Sequence, residues 1–198
     1  MSKMSKKKVI GITGSMGSGK SEIKRYLSTM YPVLDCDWVN AKLLEKGQAG
    51  YIKLNDLGIA KLDESGNILK QEMARFMFSK EENRTLVEGI LHPLIFEYMN
   101  QWIDEQETNV VFVEMPLLFE IDAKSHFDSV WCVVTDLKVA LMRLQTYRNF
   151  TEEEAMVRLE KQMDPEAKMK QSEVVIMNNG TIEQLHEQID AALIKEGI

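Results

Sequence analysis

The segment Lys8–Ser21, KVIGITGSMGSGKS, constrains this chain more than any other stretch. Val9, Ile10 and Ile12 make a short run of β-branched residues, which reads as a buried strand. The run gives way to Gly14, Gly17 and Gly19 and then at once to Lys20 and Ser21, in the order G-x-x-x-x-G-K-[ST] of a phosphate-binding loop. Ile23, Leu27 and Met30 follow at helical spacing. The chemistry requires this order. Glycines let successive N–H groups turn toward one oxyanion, and the helix that starts there adds the positive end of its dipole. Gly14, Ser15, Met16, Gly17, Ser18, Gly19, Lys20 and Ser21 are therefore the candidate cradle for a nucleoside triphosphate. Lys20 supplies a point charge for the β/γ-phosphates, and the Ser21 hydroxyl a ligand for Mg²⁺.

A chain of 198 residues can bury the core of one domain with elaborations, and 44% hydrophobic with 28% charged residues is an ordinary globular composition. The net charge of −7 argues against a nucleic-acid surface as the main function. Cys36 and Cys132 lie beside apolar runs and lack metal-ligand spacing, so both are expected to be buried free thiols. No apolar stretch is long enough to span a membrane, and no signal-peptide core is evident, so a cytoplasmic location is expected. The basic run Lys3–Lys8 reads as a solvated tail.

Val33 and Leu34 form a second apolar run, ending in Asp35-Cys36-Asp37. Ligands of open α/β sheets bind beyond the carboxyl ends of strands, so these acids are candidates for substrate or metal chemistry. Asp37 is equally suited to cap a helix starting at Trp38. Residues 38–108 read as mostly helical, with a helix end near Gly47, a turn at Asp63–Asn67 and a helix through Met73, Phe76 and Met77. From about Glu81 to Asp104, Leu86, Ile90, Leu91, Leu94, Tyr98, Met99 and Trp102 recur at helical spacing. A kink or break is expected near Leu91-His92, because Pro93 removes a helix N–H. The stripe is core; His92 is either a satisfied core histidine or a ligand contact.

From Asn109 the α/β pattern returns. Val110–Val113 is a continuous apolar run of the kind found in central parallel strands. Glu114 at its end is either a Mg²⁺-organising carboxylate or an acid facing water. Ser129–Val134 reads as another strand, followed by a helix from Leu137 to about Gln145. Thr151 and the three acids after it start a capped helix, expected to continue through Met156, Leu159 and Met163. Arg143, Arg148, Arg158 and Lys161 cluster here, either as a solvated face or as a mobile lid that carries arginines over transferring phosphates. Val174–Met177 is a last strand and Ile182–Ile194 a closing amphipathic helix. The sum is an α/β fold with a five-stranded parallel sheet covered by helices, a helical insertion and a small excursion.

Several segments in order make the chain resemble dephospho-CoA kinase, a P-loop kinase family. They are Gly11–Gly14 with the phosphate loop, Val33–Asp37, Leu91-His92-Pro93-Leu94-Ile95, Pro116-Leu117-Leu118-Phe119-Glu120 and Asn178-Asn179-Gly180. The resemblance implies transfer of the ATP γ-phosphoryl to the ribose 3′-hydroxyl of dephospho-CoA, with Mg²⁺. It implies a P-loop kinase core at 8–37, 109–142 and 171–198, a helical CoA-substrate subdomain at 38–108 and a lid at 143–170. Asp37 falls on the family's general base, and Glu114 where many members carry an acid beside the metal. Asn179 would join the ATP site. Lys70, His92, Pro93 and Leu117 would shape the acceptor site, and Arg143 and Arg148 would serve the lid.

Four positions depart from that pattern. Ser15 replaces a glycine, which is tolerable where φ stays negative; Ala41 stands where histidine or arginine is common; and Lys70 replaces a frequent arginine. The family's second lid arginine falls on Tyr147, with Arg148 one place later, so either Arg148 takes the role or Arg143 and Arg158 carry it. Two other readings are a kinase for another small acceptor such as a nucleoside monophosphate, and a non-catalytic nucleotide switch.

Overall fold

Short apolar runs with little polar interruption suit strands covered on both faces, and five such runs pair here into one sheet, the last of them with Val175 and Met177 left exposed. The computed structural model describes residues 7–198, so Lys3 and Lys6 of the basic run lie outside the described residues. The strands are β1 (Lys8–Gly14), β2 (Val33–Asp35), β3 (Val110–Glu114), β4 (Ser129–Val134) and β5 (Val174–Met177), in the order β2-β3-β1-β4-β5. β1 is central and parallel to both neighbours: Lys8 pairs with Val110, and Ile10 with both Phe112 and Ser129. β5 runs parallel to β4, with Trp131 opposite Val174.

By its contacts the chain divides into two compact units, one of residues up to Leu34 with Gln106–Ile198, the other Asp35–Glu105. In the first unit, Ile10, Ile12, Phe112, Trp131, Val133 and Ile176 pack one sheet face against α1 (Lys20–Leu27) and α9 (Ile182–Glu196). Ile23 and Leu27 come from α1, and Leu185, Ile189 and Leu193 from α9. Phe112 meets Trp131 edge-on at 5.3 Å. The far end of α9 is tied back to the sheet by Glu196, which pairs with Lys8 at 2.6 Å and accepts from Ser129 Oγ and from Trp131 Nε1 at 3.1 Å. Burial pushes the Glu196 carboxyl up, but the bonds from Lys8, Ser129 and Trp131 outweigh it and hold the group below its ordinary value.

The second unit contains α2 (Cys36–Leu43), α3 (Ala49–Asp56), α4 (Lys70–Ser79) and α5 (Glu81–Glu105). One buried apolar cluster in it is Leu54, Ile59, Met73, Val87 and Leu91. The expected turn is present, with Asp63 Oδ1 accepting from the amides of Ser65 and Asn67. The break expected near Leu91-His92 is absent, because α5 runs on through Pro93. Proline deprives the carbonyl four residues back of its partner. Here that residue is Gly89, and both Gly89 and Pro93 face solvent, where water can serve the freed carbonyl.

The segment after β4 also departs from expectation. α6 is Leu137–Arg148, three residues longer than expected. The next helix, α7 (Glu152–Glu160), has the expected cap: Thr151 and Glu154 form a capping box. It stops before Met163, and α8 (Pro165–Gln171) follows as a separate helix. Asp164 caps α8 and Pro165 opens it, a start signal that overrides the apolar spacing.

Candidate active site

The phosphate loop joins β1 to α1, and two of its glycines are sterically obligatory. Gly14 has φ +149°, and a Cβ there would come 2.2 Å from Val133 O. Gly19 caps α1 with φ +91°, and a Cβ there would stand 2.1 Å from Asn178 Nδ2. Outside glycine, positive φ among the described residues occurs at Asp122 and Asn149, so Ser15 keeps negative φ and the departure at that position is tolerated. Lys20 Nζ donates to Gly14 O at 2.7 Å and Ser15 O at 3.0 Å, which lays its charge along the first half of the loop. Ser21 is exposed in the first turn of α1, where no side chain caps the helix. The helix N-terminus and its dipole are thus presented to solvent-borne anions.

The outer side of the loop is braced from the other end of the sequence. Arg143 donates through Nη1 to Gly17 O (3.3 Å) and through Nη2 to Asn178 O (3.0 Å). Asn178 Nδ2 donates to Ser18 O at 2.8 Å. With these carbonyls engaged, the peptide planes of the loop are fixed from behind. Asn179, expected to join the ATP site, accepts through Oδ1 from Thr135 Oγ1 and from the Asp136 amide, both at 2.8 Å, which fastens the start of α6 to the end of β5. The Met16 N–H donates to Gln162 Oε1 at 2.9 Å.

The candidate arginines separate clearly. Arg143 is on the loop; Arg158 lies over the Phe150 ring at 4.6 Å; Arg148 is exposed in the last turn of α6. Tyr147, one turn after Arg143 on the same helix, is 78% exposed. Leu117 is exposed just beyond β3.

Glu114 ends β3 and is buried, with Lys24 Nζ 3.2 Å from its Oε2. That oxygen makes no hydrogen bond among the described residues. A hard, buried carboxylate oxygen and the Ser21 hydroxyl are donors of the type Mg²⁺ takes, so these residues fit the ion the resemblance implies. Among the described residues no group of three or more His, Cys, Asp or Glu side chains could hold a metal. That is no obstacle, since Mg²⁺ in phosphoryl-transfer sites uses one or two carboxylates together with the substrate phosphates.

Asp37, Lys70, His92 and Pro93 belong to the second unit. The cap of α2 is Asp35, not Asp37: Asp35 is extended (φ −107°, ψ 112°) and its Oδ1 accepts from the amides of Asp37 and Trp38. Asp37 therefore occupies the first turn, with its side chain exposed. Trp38 and Lys42, one turn apart on α2, meet Tyr98 of α5; Lys42 Nζ lies 4.9 Å from the Trp38 ring centroid and 3.2 Å from Tyr98 Oη. Lys70 is exposed at the start of α4. His92 is half-buried and Pro93 exposed on α5.

Sequence reasoning missed Asn178 and Gln162. Asn178 had a signal, since it stands in the Asn178-Asn179-Gly180 segment that carries the resemblance. Gln162 had none, because its partner is 146 positions away.

The sequence model of the dephospho-CoA kinase family matches residues 8–184. The chain belongs to that family. A dephospho-CoA kinase of Bacillus cereus is 35% identical over 195 residues, covering 96% of this chain and 98% of that relative. A crystal structure from Thermus thermophilus superposes with a TM-score of 0.84 at 30% identity, over 96% of this chain and 98% of that one. The dephospho-CoA kinase of Campylobacter jejuni gives a TM-score of 0.66 at 22% identity, over 96% and 98% of the two chains, and so shares the fold. As a member of the family the chain is a kinase with a P-loop nucleotide-binding core, and the family's reaction is the final step of coenzyme A synthesis. Among the described residues no helix is long and apolar enough to cross a membrane.

Proposed function

We propose that, in the dephospho-CoA kinase reaction this chain performs, the phosphate loop holds the donor ATP while Asp37 takes the proton of the acceptor's ribose 3′-hydroxyl. The γ-phosphoryl passes to that oxygen, and CoA and ADP leave. Phosphoryl transfer asks little covalent chemistry of a protein; it asks for position and for positive charge where negative charge develops. Loop amides and the α1 N-terminus receive the phosphates. Lys20 supplies charge on the β/γ oxygens. Arg143 holds the loop carbonyls away from the nucleotide, which leaves the N–H groups to the substrate. Arg148 adds charge at the far end of α6.

Ser21 and Glu114 would hold Mg²⁺, which when bound neutralises charge on the β- and γ-oxygens. Asp37 accepts the hydroxyl proton as the new bond forms, a role suited to a carboxylate whose neighbour Asp35 already serves the helix cap. Lys70, His92, Pro93 and Leu117 line the acceptor's path, and residues 38–108 form its binding subdomain. Residues 143–170 act as the lid that excludes water from a reactive phosphoryl group. The two buried free cysteines suit a reducing cytoplasm, where ATP and dephospho-CoA are the substrates.

The observation that carries the reading is the family match from 8 to 184 on a loop braced by Arg143 and Asn178. An assay of ADP release decides the acceptor. Turnover of ATP with dephospho-CoA, and none with a nucleoside monophosphate, is expected; the reverse pattern overturns the assignment.

A further inference from the structure

One contact at the phosphate loop lies outside the division of labour above. Gln162 Oε1 accepts the Met16 N–H at 2.9 Å. The position of this amide within the loop matters. Lys20 Nζ lies on Gly14 O and Ser15 O, and the lysine of such a loop reaches the β/γ-phosphates. The Gly14–Met16 end of the loop is therefore the end that faces the phosphoryl group to be transferred.

Gln162 is held there from both sides. Its own amide donates to Leu159 O at 3.0 Å, closing the end of α7. The next residue, Met163, donates its N–H to Glu120 Oε1 at 3.1 Å. Glu120 is paired in turn with Lys168, which is fully buried, at 2.8 Å. The carboxamide is thus presented to the loop by an anchored backbone.

We propose that Gln162 binds the γ-phosphoryl group of the donor: it yields the Met16 N–H to a phosphate oxygen and turns its Nε2 to donate to the same group. Gln162 Oε1 and a phosphate oxygen are both acceptors, so they compete for one N–H. The carboxamide is neutral and carries a donor on its other arm, so the side chain that serves the loop by its oxygen serves the phosphate by its nitrogen. ADP lacks the γ-phosphoryl and leaves the original contact intact, so the residue distinguishes donor from product. The proposal rests on the donor-site reading given above.

Two substitutions separate it from a purely structural tether. Gln162→Glu keeps an acceptor for the Met16 N–H but has no donor and adds a negative charge. Gln162→Ala removes both arms. Kinetics with Mg-ATP and dephospho-CoA are measured beside calorimetric titration with ATP and with ADP, after melting curves confirm that each variant is folded. The expected order has Glu worse than Ala: kcat/KM for ATP falls about tenfold in Gln162→Ala and about a hundredfold in Gln162→Glu, with ADP affinity near that of the parent. A tether gives the opposite order, with Gln162→Glu near the parent and Gln162→Ala weakened equally for ATP and ADP; that result, or no effect of either change, overturns the proposal. The parent protein's ATP titration and its turnover with dephospho-CoA are read separately. Failure there removes the donor reading itself, whatever the variants do.

Discussion

Around the phosphate loop, the backbone is fixed by side chains that arrive from far along the chain. Arg143 and Asn178 hold the carbonyls of Gly17 and Ser18, and Gln162 holds the amide of Met16. The helical unit Asp35–Glu105 is built differently. Its polar ties span fewer positions: Asp35 caps its own helix, Asp63 closes its own turn, and Lys42 reaches Tyr98, 56 positions on, while Leu54, Ile59, Met73, Val87 and Leu91 form a buried apolar cluster within it. Leu57 and Phe78 stay 60% and 73% exposed there. The difference teaches where precision is placed. A loop that must aim several N–H groups at one phosphate tolerates little misplacement, while a unit proposed to receive a larger acceptor can yield.

The sharpest test of this contrast separates binding of the donor from the chemistry. Asp37→Asn keeps size and polarity but cannot take a proton. Turnover is expected to fall about 10²- to 10⁴-fold with ATP affinity nearly kept. A parallel loss of ATP affinity would tie the two regions together and break the contrast, and unchanged turnover would remove Asp37 from the base role.

A second test loosens the helical unit alone. Leu54 is fully buried in the Leu54–Leu91 cluster, and Leu54→Ala is expected to cost about 2–5 kcal/mol there. Native-state hydrogen exchange should then show protection lost across α3–α5 and retained in β1, β3 and β4. Uniform loss across the sheet would show that the units share one stability.

The smallest effect concerns the sheet's own fastening. Glu196 is held below its ordinary carboxyl value, so its contribution is present above the unfolded value and lost as pH falls through the lower folded one. Glu196→Gln is expected to cost about 1–2 kcal/mol near neutrality. Its denaturant midpoint should also fall less than the parent's on acidification below the ordinary value of 4.5. Parallel midpoint-against-pH curves for the two proteins would show that this carboxylate plays no part in acid unfolding.

The sheet was legible in the sequence because buried parallel strands read as unbroken apolar runs, and the loop because its glycines and lysine have no cheaper use together. The cap at Thr151 was legible for the same local reason. Other features depended on what lies opposite. Asp35 and Asp37 are both good caps, and only the extended backbone of Asp35 decides between them. Pro93 signals a break, yet solvent on the Gly89 side lets α5 continue. The end of α7 depended on a competing start at Asp164-Pro165, and the roles of Gln162 and Asn178 on partners distant in sequence.

The central place of β1 has a consequence for how the chain acquires its shape during synthesis. Its hydrogen-bonding neighbours, β3 and β4, begin only at Val110 and Ser129, so the first strand to be made waits longest for partners. Asp35–Glu105 is contiguous and can close its own core while the rest is still being translated. An N-terminal fragment ending near residue 105 would then carry a folded helical unit beside an unpaired, strongly apolar strand. Such a fragment is expected to bind chaperones and to aggregate, whereas the full-length chain buries that strand at the centre of its sheet.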